Sequence, residues 1–195
     1  MANPDEIVNE LESLTPESLE ELASFLQYLK WKQAPAPDKA AGQPWAFDFV
    51  ESFRRASVSA DHSQAGMEVQ VGEAACGGET MMALWQHPPV QGSAIVAYQV
   101  PVPAGVCNLR LQFATGIRDG SHLSSGNIVA FRVFVNDWRI WSDTQHARRW
   151  NAHKVVMPAV PGDVVHIRFA TDGLGNHQWA WAAWGEPRLL GEIEG

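Results

Sequence analysis

The chain has 195 residues, of which 46% are hydrophobic and 18% are charged, a composition typical of a well-packed globular chain and not of a disordered one. Its formal net charge of -8 argues against a nucleic-acid partner, because phosphate binding needs a cationic surface. No segment approaches the ~18 apolar residues of a membrane-spanning helix, and the N-terminus lacks the basic and apolar regions of a secretion signal. These features predict a cytoplasmic protein with no nucleic-acid and no membrane partner.

Residues 1–31 carry the start signals of two helices. The sequence Asn3-Pro4-Asp5-Glu6 combines an N-cap, a proline at the first helical position and a glutamate for a capping box, and Thr15-Pro16-Glu17 repeats the signal. The second helix has a leucine seam with a/d spacing, at Leu19, Leu22, Leu26 and Leu29. A helical hairpin this short is marginal alone, so the seam must be buried on the rest of the chain or against another copy.

Residues 32–44 are rich in proline and alanine and predict a semi-rigid, extended linker. Such a spacer separates the hairpin from the remaining residues, 45–195, and favours burial of the leucine seam against another copy. The sequence therefore predicts a homo-oligomer assembled through residues 4–31, although packing of the hairpin on the second domain stays open.

From Trp45 onward the hydrophobic pattern has a period of two. Apolar and polar residues alternate in NLRLQFA (108–114), VAFRVFVN (129–136) and DVVHIRFA (163–170), as in half-buried antiparallel strands. Turn-forming clusters separate such segments: PVPAG, RDGSHLSSGN, VNDW, VPGD and TDGLGN. Many short strands without intervening helices predict a mainly β protein, an antiparallel jelly-roll β-sandwich over residues 45–195 preceded by the α-helical hairpin.

The sequence contains no nucleotide-binding, hydrolase or zinc-protease motif, and its seven histidines include no HxH pair. The aspartates after residue 118 are assigned to turns, where Asp bonds the local backbone. Asp172 and Asn176 could offer oxygen ligands to a structural calcium ion, but no EF-hand spacing supports one. No cofactor and no metal ligand set are therefore predicted. Cys76 and Cys107 are predicted to be buried free thiols.

The nine tryptophans fall into groups with different expected roles. In QWAWAAW, the alternation places Trp179 and Trp181 on one face of a final strand and Trp184 on the other, and all three are predicted to be core. A second group lies in NDWRIWSDTQHARRWNAH, a segment rich in turn formers and charge: Trp138, Trp141 and Trp150. Loop aromatics beside Arg and Asp suit the stacking of a sugar ring, but they could also cap the open end of the sandwich.

The order of several segments resembles the galactose-binding-like jelly roll, and more narrowly the modules related to the NPCBM group found beside glycoside hydrolases. The segments span about residues 45–190 and include ALWQHPP, AYQVPVP, LRLQFATGIRDGS and PGDVVHIRFATDGLGN. GIRDGS and the closing WAAWGEP are the most specific. The resemblance implies that the last strand inserts beside the first, with WAFDFV (45–50) as its neighbour, and that Pro187 ends this pairing.

One departure from the pattern and one further resemblance accompany it. The closing pattern has an acidic residue where this chain has Ala180, and that acid often fixes loops or binds an ion or a sugar. The segment LESLTPESLEELASFLQYLK is similar to the helical segment of small bacterial antitoxin-like proteins, which here implies self-association.

Three hypotheses for function follow. The leading one is a non-catalytic, carbohydrate-binding module presented on a self-associating helical segment, where avidity adds ~10²–10⁴ in apparent affinity. The alternative is a protein-interaction or structural scaffold whose sandwich has lost sugar binding, which the alanine at position 180 favours. An enzyme is the third, and no residue spacing requires it. The predicted ligand-binding residues are Arg118, Asp119, His122, Trp138, Trp141 and Trp150.

Overall fold

The structure is a computed structural model that describes residues 43–122, 127–157 and 164–193, together with Thr15. The predicted hairpin (1–31) and linker (32–44) lie outside these residues, apart from Thr15 and the last two linker positions. None of the helices in the described ranges is long and apolar enough to cross a membrane. The described ranges form one short 3-10 helix, Phe53–Arg55, and the strands β1 Gln43–Asp48, β2 Ser57–Ala60, β3 Glu68–Cys76, β4 Glu79–His87, β5 Ser93–Pro101, β6 Val106–Ile117, β7 Val129–Val135, β8 Trp138–Gln145, β9 Asn151–Val156, β10 Val164–Asp172 and β11 Ala182–Ile193.

The strands form two antiparallel sheets. One sheet has the order β3-β4-β11-β6-β9, with β1 also paired to β11, and the other has the order β2-β5-β10-β7-β8. A single large cluster of buried residues from both sheets lies between them. The predicted mainly β, antiparallel sandwich is therefore confirmed for the described residues.

Alternation of apolar and polar residues explains why these segments are strands. In β7, Val129, Phe131 and Val133 are fully buried. The alternate residues Arg132 and Phe134 are partly exposed. The same alternation marks β6 and β10 at the positions expected from the sequence. Each of these strands buries its apolar face against the facing sheet, which is the main source of its stability.

A two-residue turn joins β7 to β8. Asn136 and Asp137 have positive φ values of 45° and 71°, as a type I′ hairpin turn requires, and Asn and Asp tolerate this conformation. The turn is so short that β8 begins immediately, at Trp138. The prediction that Trp138 and Trp141 occupy a loop is therefore wrong, since both are in β8.

Trp184 is at the centre of the core. Its side chain is 0% exposed, and its ring centroid lies 5.0 Å from that of Phe169 and 5.1 Å from that of Phe131. Its indole Nε1 donates a hydrogen bond of 2.8 Å to Gln86 Oε1, so the polar atom of this large side chain is satisfied. The core assignment of Trp184 is confirmed.

The last strand closes the six-stranded sheet as expected. β11 pairs with β1 in the register that joins Trp45 to Gly191 and Phe47 to Leu189. The expectation that Pro187 ends the pairing is wrong, because β11 continues to Ile193. The register shift between Gly185 and Arg188 places this proline in a bulge, where its missing N–H does not interrupt a ladder bond.

Both cysteines are free thiols, as predicted, but only Cys76 is buried. Burial raises the pKa of the Cys76 thiol to about 12, so it stays protonated and unreactive near neutral pH. Cys107 is half-buried, and its Sγ donates to the Glu192 carbonyl at 3.4 Å.

Candidate functional site

Three loops meet at the end of the sandwich where β6 ends. They are residues 118–122, 146–150 and 173–181. The Arg118 backbone N–H donates to the Trp181 carbonyl at 2.9 Å, which joins the first loop to the third. Arg148 Nη1 donates to the Ser121 carbonyl at 3.2 Å, which joins the second loop to the first. Side chains far apart in the sequence therefore share one surface.

Asp119 holds the β3–β4 hairpin against this end. Its two carboxylate oxygens each accept a backbone N–H, from Gly77 and from Gly78, both at 2.8 Å. Its own backbone N–H donates to the Ala75 carbonyl at 2.7 Å. The bonds from Gly78 and Gly77 hold the pKa of the Asp119 carboxyl below its ordinary value of 3.8. Both oxygens are engaged, so Asp119 is an anchor for the hairpin.

Asp119→Asn is expected to lower the free energy of unfolding by about 1 kcal/mol at neutral pH, because an amide cannot accept both N–H bonds. A carboxyl with a lowered folded-state pKa contributes stability above its unfolded-state value, and that contribution is lost as the pH falls through the folded-state pKa. The difference between wild type and variant should therefore vanish in strong acid. Urea unfolding at about pH 7 and about pH 2.5 measures this.

The matched control is Asp137→Asn, since the side chain of Asp137 is 90% exposed and its ion pair with Arg168 is worth little. An Asp119→Asn difference that persists unchanged in acid would contradict the prediction.

The Arg118 guanidinium lies close to two indole rings. Its Cζ lies 3.5 Å from the ring centroid of Trp85 in β4 and 5.2 Å from that of Trp181 in the third loop. Cation–π attraction of this kind favours a flat guanidinium over an indole face. Partial burial lowers the pKa of Arg118, an effect that Glu68 opposes, and an arginine stays charged in spite of it.

The ring contacts continue from Trp181 toward the solvent. The ring centroid of Trp181 lies 5.5 Å from that of Trp179, and that of Trp179 lies 4.7 Å from that of His122, which is edge-on. Trp179 is 40% exposed, and His122 is exposed. We call these side chains the stacked row: Trp85, Arg118, Trp181, Trp179 and His122.

Trp179 is held in a conformation that a bulky side chain rarely adopts. Its φ is +62°, in the left-handed region. Ser121 Oγ donates to the Trp179 carbonyl at 2.6 Å, and Asn127 Nδ2 donates to the Gln178 carbonyl at 2.7 Å. Asn176 Nδ2 in turn donates to Asn127 Oδ1 at 3.0 Å. Because strained residues persist only where their surroundings over-determine them, this network keeps the indole exposed and oriented.

His87 holds the third loop (173–181) through a hydrogen bond. Its Nδ1 donates to the Ala180 carbonyl at 2.9 Å. Burial lowers the pKa of His87, so the neutral ring is favoured. Ala180 itself is 0% exposed, which explains how the chain accommodates an alanine where the related pattern has an acid: the position faces inward.

The prediction that Trp179 and Trp181 are core residues of the last strand is wrong, because β11 begins only at Ala182. Both precede the strand, in the loop, and only Trp184 is in the core. The turn cluster TDGLGN before them was the available signal that a loop continues. The left-handed turn at Trp179 has no such signal, and Trp85 sits in an alternating strand pattern that does not distinguish it from a packing residue.

The six predicted ligand-binding residues are only partly brought together. Four of them lie at this end of the sandwich: Arg118, Asp119, His122 and Trp150. Trp138 is the first residue of β8, and Gln145 is the last. Gln145 lies at this end of the sandwich, because its side chain donates to Thr115 near the end of β6. Trp138 is therefore roughly 20 Å away from this end along β8. Trp141 packs inward, with its ring centroid 4.9 Å from that of Phe113 and 4.6 Å from that of His153.

Trp150 fastens the second loop to the sheet. It packs against a small cluster of buried alanines, and a Cβ added to Gly116 or Gly185 would lie 2.7 Å or 3.1 Å from its ring. Its Nε1 donates to the Glu79 carbonyl at 2.9 Å. A side chain at either glycine would crowd the indole that lies on it. Trp150 is therefore a packing residue more than a platform for a ligand.

The oxygens considered for calcium make local bonds. Asp172 Oδ2 pairs with Arg132 Nη1 at 3.1 Å, and Asp172 Oδ1 accepts the Leu174 N–H at 2.8 Å. Asn176 Oδ1 accepts the Gln178 N–H at 3.1 Å. In the described ranges, no three side chains of His, Cys, Asp or Glu are grouped so that they could hold a metal ion.

No protein-family model matches the chain, and no curated protein matches it in sequence. Several solved structures are similar. One is a CBM51 module from Clostridium perfringens GH95 in complex with methyl-galactose, with 13% identity and a TM-score of 0.48 over 74% of this chain and 99% of that chain. Another holds the CBM51-2 and INT domains of Clostridium perfringens ZmpB with GlcNAc, with 13% identity and a TM-score of 0.46 over 70% of this chain and 29% of that chain.

A third is TmCBM61 in complex with beta-1,4-galactotriose, with 20% identity and a TM-score of 0.42 over 82% of this chain and 99% of that chain. At these low identities and TM-scores, the comparisons do not identify a ligand for the present chain. What it binds must follow from the surface that its own residues form.

Proposed function

We propose that the β-sandwich is a non-catalytic carbohydrate-binding module, and that a sugar ring stacks on the stacked row at the exposed indole of Trp179. The observation that carries this proposal is the conformation of Trp179: a bulky side chain at a φ of +62°, 40% exposed, held there by buried polar groups. A protein that only needed a packed loop would gain nothing from this arrangement.

The chemistry of the surface suits a saccharide. A sugar ring presents an apolar C–H face, which the flat indole can cover, and hydroxyls at its rim, which need donors and acceptors. Polar side chains surround Trp179 in the same loops, including exposed Gln178 and His122. An aromatic platform with a few polar groups at its edge is the usual composition of a small-molecule site.

The absence of catalysis is part of the proposal. General acid–base chemistry needs a carboxylate or another titratable group free to exchange a proton with the ligand. Asp119, the acid next to Arg118 in sequence, uses both oxygens to hold the β3–β4 hairpin. We also propose self-association through residues 4–31, which would make several weak sites act together.

A second candidate, a site for a protein partner, is favoured by apolar exposure in the third loop and directly before β7. Leu174 is 51% exposed and Ile128 is 41% exposed. Together with Trp179 they offer apolar surface of the kind found at protein interfaces. A glycan screen of the full chain separates the candidates, because a protein-binding surface gives no saccharide signal.

Trp179→Ala is expected to weaken saccharide binding by roughly tenfold or more, since aromatic anchors carry much of the energy at such sites. The variant should fold normally, because the indole is solvent-exposed and the backbone network remains. A glycan array followed by isothermal titration with the best saccharide measures the change.

Trp138→Ala is the matched control, since it removes the same kind of side chain at the end of β8 that is distant from the stacked row. The proposal fails if both folded variants bind like the wild type. It also fails if Trp138→Ala has the larger effect.

A further inference from the structure

We infer that the saccharide bound at the stacked row carries an anionic group, a carboxylate or a sulfate, and that Arg118 binds it. This inference rests on the proposed function and adds the class of saccharide. It follows from the hydrogen-bonding state of Arg118, from the partners of the neighbouring acids, and from a second donor beside it.

The guanidinium of Arg118 has donors without acceptors. Its Cζ lies 3.5 Å from the ring centroid of Trp85 and 5.2 Å from that of Trp181. No hydrogen bond or ion pair joins its N–H groups to any described residue. The five N–H donors of the guanidinium therefore remain available to a ligand while the indoles pack beside it.

The neighbouring acids have other partners. Asp119 accepts the backbone N–H groups of Gly77 and Gly78, at 2.8 Å each. Glu68 attracts Arg118 only through space, and its Oε1 accepts a bond from Gln70 Nε2 at 2.8 Å. Other ion pairs in the described ranges join carboxylate and guanidinium directly, as Asp172 and Arg132 do. Arg118 differs from Arg132 in lacking such a partner.

A second donor beside Arg118 also lacks an acceptor. The Nε1 of Trp85 is buried and makes no hydrogen bond with the described residues. Unsatisfied buried polar atoms are rare in folded proteins and call for an explanation. Both groups at this position are donors, so the partial positive charge around Arg118 favours a ligand rich in acceptors.

An anionic group meets this need better than a hydroxyl. A carboxylate or a sulfate accepts two parallel N–H bonds from a guanidinium, and such charge-assisted bonds are roughly twice as strong as neutral ones. A neutral sugar hydroxyl makes a single weaker bond and leaves the charge of Arg118 unpaired. The overall charge of -8 opposes anionic polymers at long range, so recognition depends on this local cation at physiological salt.

The test uses the full chain and pairs of ligands that differ only in charge. Methyl galacturonide is compared with methyl galactoside, and polygalacturonate with its methyl ester; chondroitin sulfate is compared with desulfated chondroitin for the sulfate. By isothermal titration, the charged member of a pair should bind on the order of tenfold more tightly. Raising the salt from about 0.1 M to about 1 M should weaken only the charged member.

Arg118→Gln should abolish the preference for the charged member, and Arg118→Lys should retain part of it. Thermal unfolding shows whether each variant is folded, and the ligand pairs on the wild type decide the matter even if one variant is not. The inference is overturned if neutral saccharides bind as tightly as charged ones while still depending on Trp179, a result that leaves the proposed function intact. If neither member of any pair binds, the inference and the proposed function fail together.

Discussion

Replacing Trp184 by alanine is expected to lower the free energy of unfolding by about 3–5 kcal/mol, the range for deleting a large aromatic side chain from a core. The ring is 0% exposed, and its centroid lies within 5.0–5.3 Å of those of Phe169, Phe131 and Phe113. These residues belong to strands of both sheets, so the hydrogen-bonded ladders resist collapse into the cavity. The substitution also removes the donor to Gln86 Oε1 and leaves that buried acceptor unsatisfied.

Urea unfolding followed by far-ultraviolet circular dichroism measures this loss, provided that the denaturant dependence is unchanged. The matched control is Trp179→Ala, the same chemical change at a side chain that is 40% exposed. We expect the control to change stability by less than about 1 kcal/mol. Comparable losses in the two variants would contradict the assignment of Trp184 to the core and of Trp179 to the surface.

Gln86→Leu is expected to cost about 3–5 kcal/mol, although leucine is apolar and close in size to glutamine. Gln86 is 0% exposed, and its Nε2 donates to the carbonyls of Ala94 at 2.7 Å and of Phe169 at 2.8 Å. Its Oε1 accepts the indole N–H of Trp184 at 2.8 Å. The leucine would remove all three bonds and leave the buried indole N–H of Trp184 without its acceptor, and an unsatisfied buried group costs ~1–3 kcal/mol before relaxation, so a more apolar side chain makes the core less stable.

The control for this substitution is Gln112→Leu, at an exposed position of β6. Its effect should stay within about 0.5 kcal/mol. In a Trp184→Phe background, Gln86→Leu should cost less than in the wild type, because the indole N–H that needs an acceptor is already absent. Equal costs in the two backgrounds would show that the bond between Gln86 and Trp184 does not stabilise the fold.

Local patterns were sufficient to predict the strands, because apolar and polar residues alternate along a strand that is buried on one face. The alternation in residues 129–136 placed β7 within one residue, and the Asn136-Asp137 pair marked the turn that follows it. Trp138 and Trp141 show the limit of such reading. Charged and turn-forming neighbours suggested a loop, but these residues lie on an edge strand, where polar side chains are common because one side is open to solvent.

The sequence by itself determined that the chain from Trp45 onward would form an antiparallel β-sandwich, since period and turn chemistry are local properties. The pairing of the last strand with the first was implied by the resemblance to the galactose-binding-like jelly roll. Only the tertiary structure decided which tryptophans are exposed. Trp179 and Trp184 stand in the same repeating pattern, yet one is exposed and the other buried. The difference comes from hydrogen bonds with Ser121 and Asn127, more than fifty residues away, which hold the loop and set where β11 begins. The composition of a segment carries no record of such contacts, because their partners come from other parts of the chain.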